Sequence, residues 1–276
     1  MRDATITFPL FGEGFALDFA ASFTLFGFRF HWYGVLVALG LLLGALYALW
    51  RADEFGFTRD NVLDFLLYAI PTAVVVSRLY YVAFHLDFFL QNPLRIITGL
   101  RDGGLTIFGV LMGALLGAYI CSRVKKLSLW SFMDLGALGL LIGQSIGRWG
   151  NFTNRELFGI PTNLPWRMGL TTAAGTIYVH PTFLYESLWN TIGLILLHIY
   201  SKKIGRKYKG QIFVFYLGWY GLGRTWVEAL RDPSQNMYLF DTVPINMLLA
   251  ISCFVGAIVI NYIVLTRKNG NTPKEA

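Results

Sequence analysis

The sequence predicts an all-α integral membrane protein, with seven transmembrane helices preceded by an interfacial N-terminal segment. Three observations predict it. The 276 residues are 55% hydrophobic and only 14% charged, with a mean hydropathy of +0.53. A soluble domain carries roughly a quarter charged residues. Seven apolar segments can be drawn, each of roughly 18–24 residues, enough to cross a ~30 Å hydrocarbon core. Finally, the lysines segregate to alternate loops.

Phe15–Phe30 is apolar, but Asp18, Gly27 and Arg29 interrupt it. It reads as alternating stretches at the interface, not as a span. The first span, about His31–Trp50, opens on His31-Trp32-Tyr33-Gly34. That cluster suits an aromatic belt at the interface or a ligand contact. The second, Val62–Phe84, carries Ser77-Arg78-Leu79-Tyr80-Tyr81-Val82. The third, Leu105–Ser122, follows Arg101-Asp102-Gly103-Gly104. Two glycines before a helix either present backbone N–H groups to an anion or form a plain turn. The fourth, Leu129–Gly147, runs into GRWGNFTNRELFG, Gly147–Gly159. The fifth, Pro181–Tyr200, begins with His180-Pro181-Thr182-Phe183-Leu184-Tyr185-Glu186. Pro181 suits a first helical turn, and His180 serves as a cap or a base. The sixth, Gln211–Leu230, contains Tyr220, Arg224 and Glu228, with Arg231 just beyond. The seventh is Val243–Thr266. Residues 1–267 then form a single transmembrane domain and 268–276 a cytoplasmic tail.

Orientation follows from lysine. All eight, at positions 125, 126, 202, 203, 207, 209, 268 and 274, fall after segments three, five and seven. Lys/Arg excess marks the cytoplasmic side, so the C-terminus lies inside and the N-terminus outside. The +7 net charge is mostly this bias. Short basic loops are not the folded basic face that nucleic acid needs; they suit anionic lipid. The first fifteen residues lack the charged start, apolar core and cleavage site of a signal peptide. Cys121 and Cys253, each inside an apolar segment, read as buried small hydrophobes and give neither a disulfide framework nor zinc spacing.

The outer face is different. Arg78, Arg101, Asp102, Arg148, Asn151, Glu156, His180, Glu186, Arg224, Glu228 and Arg231 gather there, and the cations are all arginines. Arginine grips phosphate or carboxylate through a planar fork, whereas lysine is a point charge. Polar groups at membrane depth generally contact a ligand or one another. Arg148 and Asn151 share a face if the helix continues, and Gly147 and Gly150 allow close approach. Arg224 and Glu228 also have the spacing of an i, i+4 ion pair, which does not exclude a phosphate contact.

These patches resemble the prolipoprotein diacylglyceryl transferase family over nearly the whole chain. GRWGNFTNRELFG matches the family signature GR-x-GNF-x-N-x-E-x-x-G at every fixed position. HWYG is similar to the motif opening the family's first span, SRLYYV to its second-span motif, and RDGGL to the start of its third. HPTFLYE resembles HP-x-x-LYE, and Tyr220 to Arg231 resembles YG-x-x-R-x-x-x-E-x-x-R. The resemblance implies seven spans with the N-terminus outside, in a bacterial cytoplasmic membrane. It implies transfer of diacylglyceryl from phosphatidylglycerol to the lipobox cysteine of a preprolipoprotein, with release of glycerol phosphate. Tyr33, Arg78, Asp102, Gly104, Arg148, Asn151, Glu156, Gly159, Tyr220, Arg224, Glu228 and Arg231 carry over by motif. One position departs: many members carry a histidine four residues after the Gly-Gly, proposed as a base for the thiol, where this chain has Phe108.

The implied chemistry assigns roles. A thiol of pKa ~8.5 must become a thiolate, and a phosphate must leave. Guanidinium groups favour both. Arg148 and Arg224 are expected on the phosphate as catalytic groups, with Tyr33 and Tyr220 on the phosphate or thiol. Asn151 and the Gly103–Gly104 backbone are expected as neutral donors, and Glu156 and Glu228 as groups that orient the arginines. Asp102, Arg78, Gly159, Arg231 and His180 complete the substrate-binding set. No metal or cofactor is expected. The expected partners are phosphatidylglycerol, the preprolipoprotein and membrane lipid, without nucleic acid. The alternatives are a paralogue that binds phospholipid without transfer, a lipid or anion transporter, and a seven-span receptor.

Overall fold

A computed structural model describes residues 4–12, 14–99, 103–235, 238–239 and 243–270. Each of the seven apolar segments is a helix: α1 (Trp32–Arg51), α2 (Arg59–Ala83), α5 (Ile107–Val124), α6 (Leu129–Asn154), α7 (Thr182–Lys203), α8 (Gln211–Ala229) and α9 (Ile245–Gly270). Two short helices, α3 (Leu86–Gln91) and α4 (Arg95–Thr98), lie between the second and third. By length and apolarity α1, α2, α5, α6 and α9 qualify to cross a membrane. α7 and α8 are long enough, at 22 and 19 residues, but their polar and aromatic side chains hold the hydropathy down.

The chain is mostly helical and not all-α, which corrects the expected fold class. β1 (Thr5–Thr7), β2 (Ala16–Leu17), β5 (Met168–Thr172) and β6 (Gly175–Val179) form an antiparallel sheet in the order β2-β1-β5-β6. Two further hairpins, β3 (Ser22–Leu25)–β4 (Phe28–His31) and β7 (Tyr238–Leu239)–β8 (Val243–Pro244), precede α1 and α9. The expected interfacial segment Phe15–Phe30 is therefore strand, and its apolar alternation is the period of strands. Phe26 and Gly27 have φ of 51° and 80°, the left-handed pair that a two-residue hairpin turn requires and a helix forbids.

The chain forms two compact units, residues 1–46 with 136–276 and residues 47–135. In the first, Ile6 pairs with Leu170 and Met168 with Val179. Their inward side chains join Ala4, Phe152 and Phe183 in one buried core. The sheet thus packs against the end of α6 and the start of α7, where the signature lies. In the second unit, α5 lies against α2 along Gly109, Gly113 and Gly117. A Cβ at these positions would strike the backbone of Ser77, Ala73 and Ala69, the small-residue packing that lets helices meet in lipid. α5 begins at Ile107, capped by Thr106, two residues later than the expected Leu105. Gly103 and Gly104 have φ of 104° and 80°, outside the helical region. Cys121 is buried and Cys253 half-buried, both as free thiols.

Candidate active site

α6 continues into the signature as far as Asn154. Its last turn places Arg148 beside Asn151, with Nη1 donating to Oδ1 at 3.3 Å. The chain then reverses through Arg155 and Leu157, with φ of 51° and 55°. This reversal turns Glu156 back to accept from Asn151 Nδ2 at 3.0 Å and Asn154 Nδ2 at 3.3 Å. Glu156 therefore reaches Arg148 through Asn151 and not directly.

Beyond the turn, Gly159 lies against the ends of α7 and α8. Its N–H donates to His180 O at 2.9 Å, and Ile160 N–H donates to Leu230 O at 2.8 Å. A Cβ on Gly159 would come within 2.6 Å of Leu230 O and His180 Cβ, so only glycine allows this approach. The His180 ring lies 3.2 Å from the Tyr185 hydroxyl, which accepts from Trp166 Nε1 at 2.8 Å. Burial pushes the His180 imidazole below its ordinary pKa, so its neutral form is favoured.

The centre is Glu186, one turn into α7 and buried. Its Oε2 meets Arg148 Nη2 at 2.7 Å. Its Oε1 meets Arg224 Nη1 at 2.8 Å and Arg231 Nη2 at 2.9 Å. Glu228 Oε2 takes Arg224 Nη2 at 2.9 Å and Arg231 Nη1 at 3.3 Å. Its Oε1 accepts from Asn246 Nδ2 of α9 at 3.1 Å. The expected i, i+4 pair of Arg224 and Glu228 is thus part of a larger network. Three guanidiniums share two carboxylates by direct ion pairs, and Glu156, one residue removed through Asn151, brings the network to three carboxylates. Arg148 is the most open of the three, with 19% of its side chain exposed against 10% for Arg224 and 2% for Arg231. Tyr33 lays its ring against Gly150, one turn beyond Ile146 on α6. Tyr220 lines a cavity of about 10 Å³ with Glu186, Asn190 and Arg224, room for about one water.

A family model described as prolipoprotein diacylglyceryl transferase matches residues 20–263. The chain belongs to the prolipoprotein diacylglyceryl transferase family. It is 39% identical over 256 residues to a protein of Clostridioides difficile, covering 92% of this chain and 98% of that one. It is 38% identical over 241 residues to one of Halalkalibacterium halodurans, covering 84% and 82%. It is 37% identical over 258 residues to one of Enterococcus faecalis, covering 91% of each. All three are named phosphatidylglycerol–prolipoprotein diacylglyceryl transferase.

The fold of this family member joins Arg148, Arg224, Arg231, Glu228, Asn151 and Glu156 in one network, with Tyr220 on its wall. Gly159 and His180 shape the backbone behind it. Arg78 and Gly104 belong to the Tyr47–Leu135 unit. There Arg78 is buried, and its guanidinium donates to the carbonyls of Arg95, Ile96, Gly103 and Gly104 at 2.6–3.5 Å. It also lies over the rings of Tyr81 and Phe89. Asp102, with Arg101, falls outside the described residues. Among the described residues no group of three or more His, Cys, Asp or Glu is placed to hold a metal ion. Sequence reasoning left Glu186 out of the site. Its signal was an acid inside an apolar segment, which is costly in a membrane without cationic partners. Asn246 gave no signal, because a polar residue at a helix entry is ordinary.

Proposed function

We propose that this protein carries diacylglyceryl from phosphatidylglycerol to the lipobox cysteine of a preprolipoprotein. The thiol sulfur forms a bond to the terminal glycerol carbon of the diacylglycerol. The bond from that carbon to the phosphate oxygen breaks, and glycerol phosphate leaves. The observation that carries this reading is the convergence of Arg148, Arg224 and Arg231 on the single carboxylate of Glu186. An anionic phosphate arriving there meets preorganised donors, and charge building on the leaving oxygen is stabilised with little reorganisation. Arg148 and Arg224 contact the phosphate. Asn151 adds a neutral donor, and Glu156 and Glu228 hold the set in place. Tyr33 and Tyr220 flank the reacting atoms.

Phe108 cannot take the thiol proton. The departing phosphate monoester can, with a second pKa of about 6. Nearby guanidiniums lower the cost of the thiolate before that transfer. Asp102, Gly104 and Arg78 are assigned to substrate binding by their family motifs, and His180 and Gly159 hold the backbone behind the arginine network.

The protein is a multi-pass membrane protein of a bacterial cell. In our reading α7 and α8 also span, giving seven helices with the N-terminus outside and the C-terminus cytoplasmic. The lysine loops then face the cytoplasm and the arginine network lies at the outer surface. Cysteine labelling at positions 125, 203 and 268 should all report the inner side. Labelling of 125 and 203 from opposite sides would break the span count.

The deciding experiment is incubation of purified protein with phosphatidylglycerol and a lipobox peptide, read by mass spectrometry. The expected product is the peptide with thioether-linked diacylglycerol. Intact, folded protein that leaves the peptide unmodified would refute the transferase reading.

A further inference from the structure

The ion network needs α7 and α8 in one axial register. In lipid no hydrophobic force holds two helices together; close approach at small residues and interhelical hydrogen bonds do so. Both helices carry the pattern Trp-x-x-x-Gly, as Trp189 with Gly193 and Trp219 with Gly223. The two indoles stack with centroids 4.3 Å apart and planes 17° apart. Trp189 Nε1 donates to Trp219 O, and Trp219 Nε1 donates to Trp189 O, both at 2.9 Å. Each ring also sits on the other helix's glycine. A Cβ at Gly193 would strike Trp219 Nε1, and one at Gly223 would strike Trp189 Nε1. The contact is reciprocal, so sliding either helix breaks both hydrogen bonds and empties both glycine seats.

This contact adjoins the ion network. Gly223 precedes Arg224, and Trp189 lies three residues after Glu186, about 4.5 Å along the helix. Trp189, Gly223, Glu186 and Arg224 line the same cavity. We propose that Trp189 and Trp219 form a register lock that holds Glu186 within reach of Arg224 and Arg231. They are positioning residues of the transfer site, which act through the ion network without touching lipid or peptide. The proposal rests on the transferase reading for its effect on rate. A shift of one residue moves a helix about 1.5 Å, enough to break the 2.8 Å contact between Arg224 and Glu186.

The test uses full-length protein in phosphatidylglycerol vesicles with a lipobox peptide. Trp219→Phe keeps the ring and loses the N–H. Its kcat should fall ~10-fold or more with KM for the peptide within ~2-fold, as expected when catalytic geometry is lost and binding is not. In an Arg224→Lys background the same substitution should cost under ~3-fold, because the contact it protects is already weakened. Circular dichroism should show an exciton couplet from the stacked indoles. Trp189→Phe and Trp219→Phe should each abolish it, and Trp130→Phe, at an exposed position, should keep it. Wild-type kcat in Trp219→Phe with the couplet lost would overturn the proposal. So would an equal loss of kcat in both backgrounds. If Trp219→Phe does not fold, Gly223→Ala, which lifts Trp189 from its seat, is measured against the same criteria. An inactive wild-type protein would sink the transferase reading alone. The lock would then stand or fall on the couplet and on non-additivity of Trp219→Phe and Arg224→Lys in thermal stability.

Discussion

Two groups of buried arginines use opposite partners. Arg148, Arg224 and Arg231 face the carboxylates of Glu186 and Glu228. Arg78, in the other unit, faces backbone carbonyls of the segment before α5. Arg155 resembles Arg78, donating to the carbonyls of Ala4, Thr153 and Phe19 and lying over the Phe19 ring. The carbonyl-bound arginines spend their N–H groups on fixing a loop or a strand. The carboxylate-bound ones form an electrostatic cluster around a carboxylate that three guanidiniums share. Both kinds are buried and both lie in motif segments of the sequence, so burial does not tell the two groups apart. Partner type does. An anion can compete with a carboxylate for a guanidinium, whereas displacing three or four backbone carbonyls would leave each unsatisfied.

The largest expected effect comes from Glu186→Leu. It removes the shared partner of three guanidiniums, leaving Arg224 and Arg231 against Glu228 and Arg148 against Asn151. Breaking a buried ion pair on one side costs about 3–5 kcal/mol. We expect a large fall in thermal stability and loss of transfer, read by unfolding and by the peptide assay. A stable, active variant would dissolve the distinction between the two arginine groups.

Next come Arg148→Lys and Arg224→Lys, which keep charge and lose the fork. Each should lower kcat/KM at least ~10-fold, about 1.4 kcal/mol of transition-state stabilisation. Arg148→Lys should leave the melting temperature nearly unchanged, because Arg148 is the most open of the three. Normal turnover in both would remove them from the site.

Arg78→Lys should show the opposite profile. It loses several hydrogen bonds from a charged donor, each worth about 1.5–3 kcal/mol, so stability should fall first. Transfer per folded molecule should suffer less than in Arg148→Lys. A tenfold loss of turnover at unchanged stability would move Arg78 into the same group as Arg148.

Phe108→His sharpens the proton side of the comparison. With no side-chain base, the wild-type rate should rise with pH as the substrate thiol ionises. Histidine at 108 should flatten that rise by titrating near neutrality. An unchanged profile would mean that position 108 does not meet the thiol.

The smallest effect concerns His180. Its folded pKa lies below the ordinary value because of burial. The unfolded chain therefore binds more protons as pH falls through the range near 6.5, so the stabilising contribution is present above that range and lost below it. His180→Gln should reduce the pH dependence of the melting temperature between pH 7 and 5. An unaltered pH dependence would show that this ring does not contribute to it.

The sequence by itself determined the membrane class, the seven helical segments and the position of the signature turn. Hydropathy over about twenty residues is a local property, and so is the run of groups from Gly147 to Gly159. The family motifs also put Arg148, Arg224 and Glu228 on the right helices and Arg231 just past the end of α8. The sheet was missed because β1 has three residues and β2 two. Strands that short become visible only through pairing across 160 residues of chain, as Thr5 pairs with Thr171. Tertiary structure alone decided which carboxylate the arginines share. Sequence reasoning expected Glu156 and Glu228 to orient the guanidiniums, and only the meeting of α6, α7 and α8 brought out Glu186. It also separated Arg78 from Arg148, two arginines with similar sequence signals. What a guanidinium can do depends on which groups occupy its N–H bonds, and that is set by packing between segments distant in sequence.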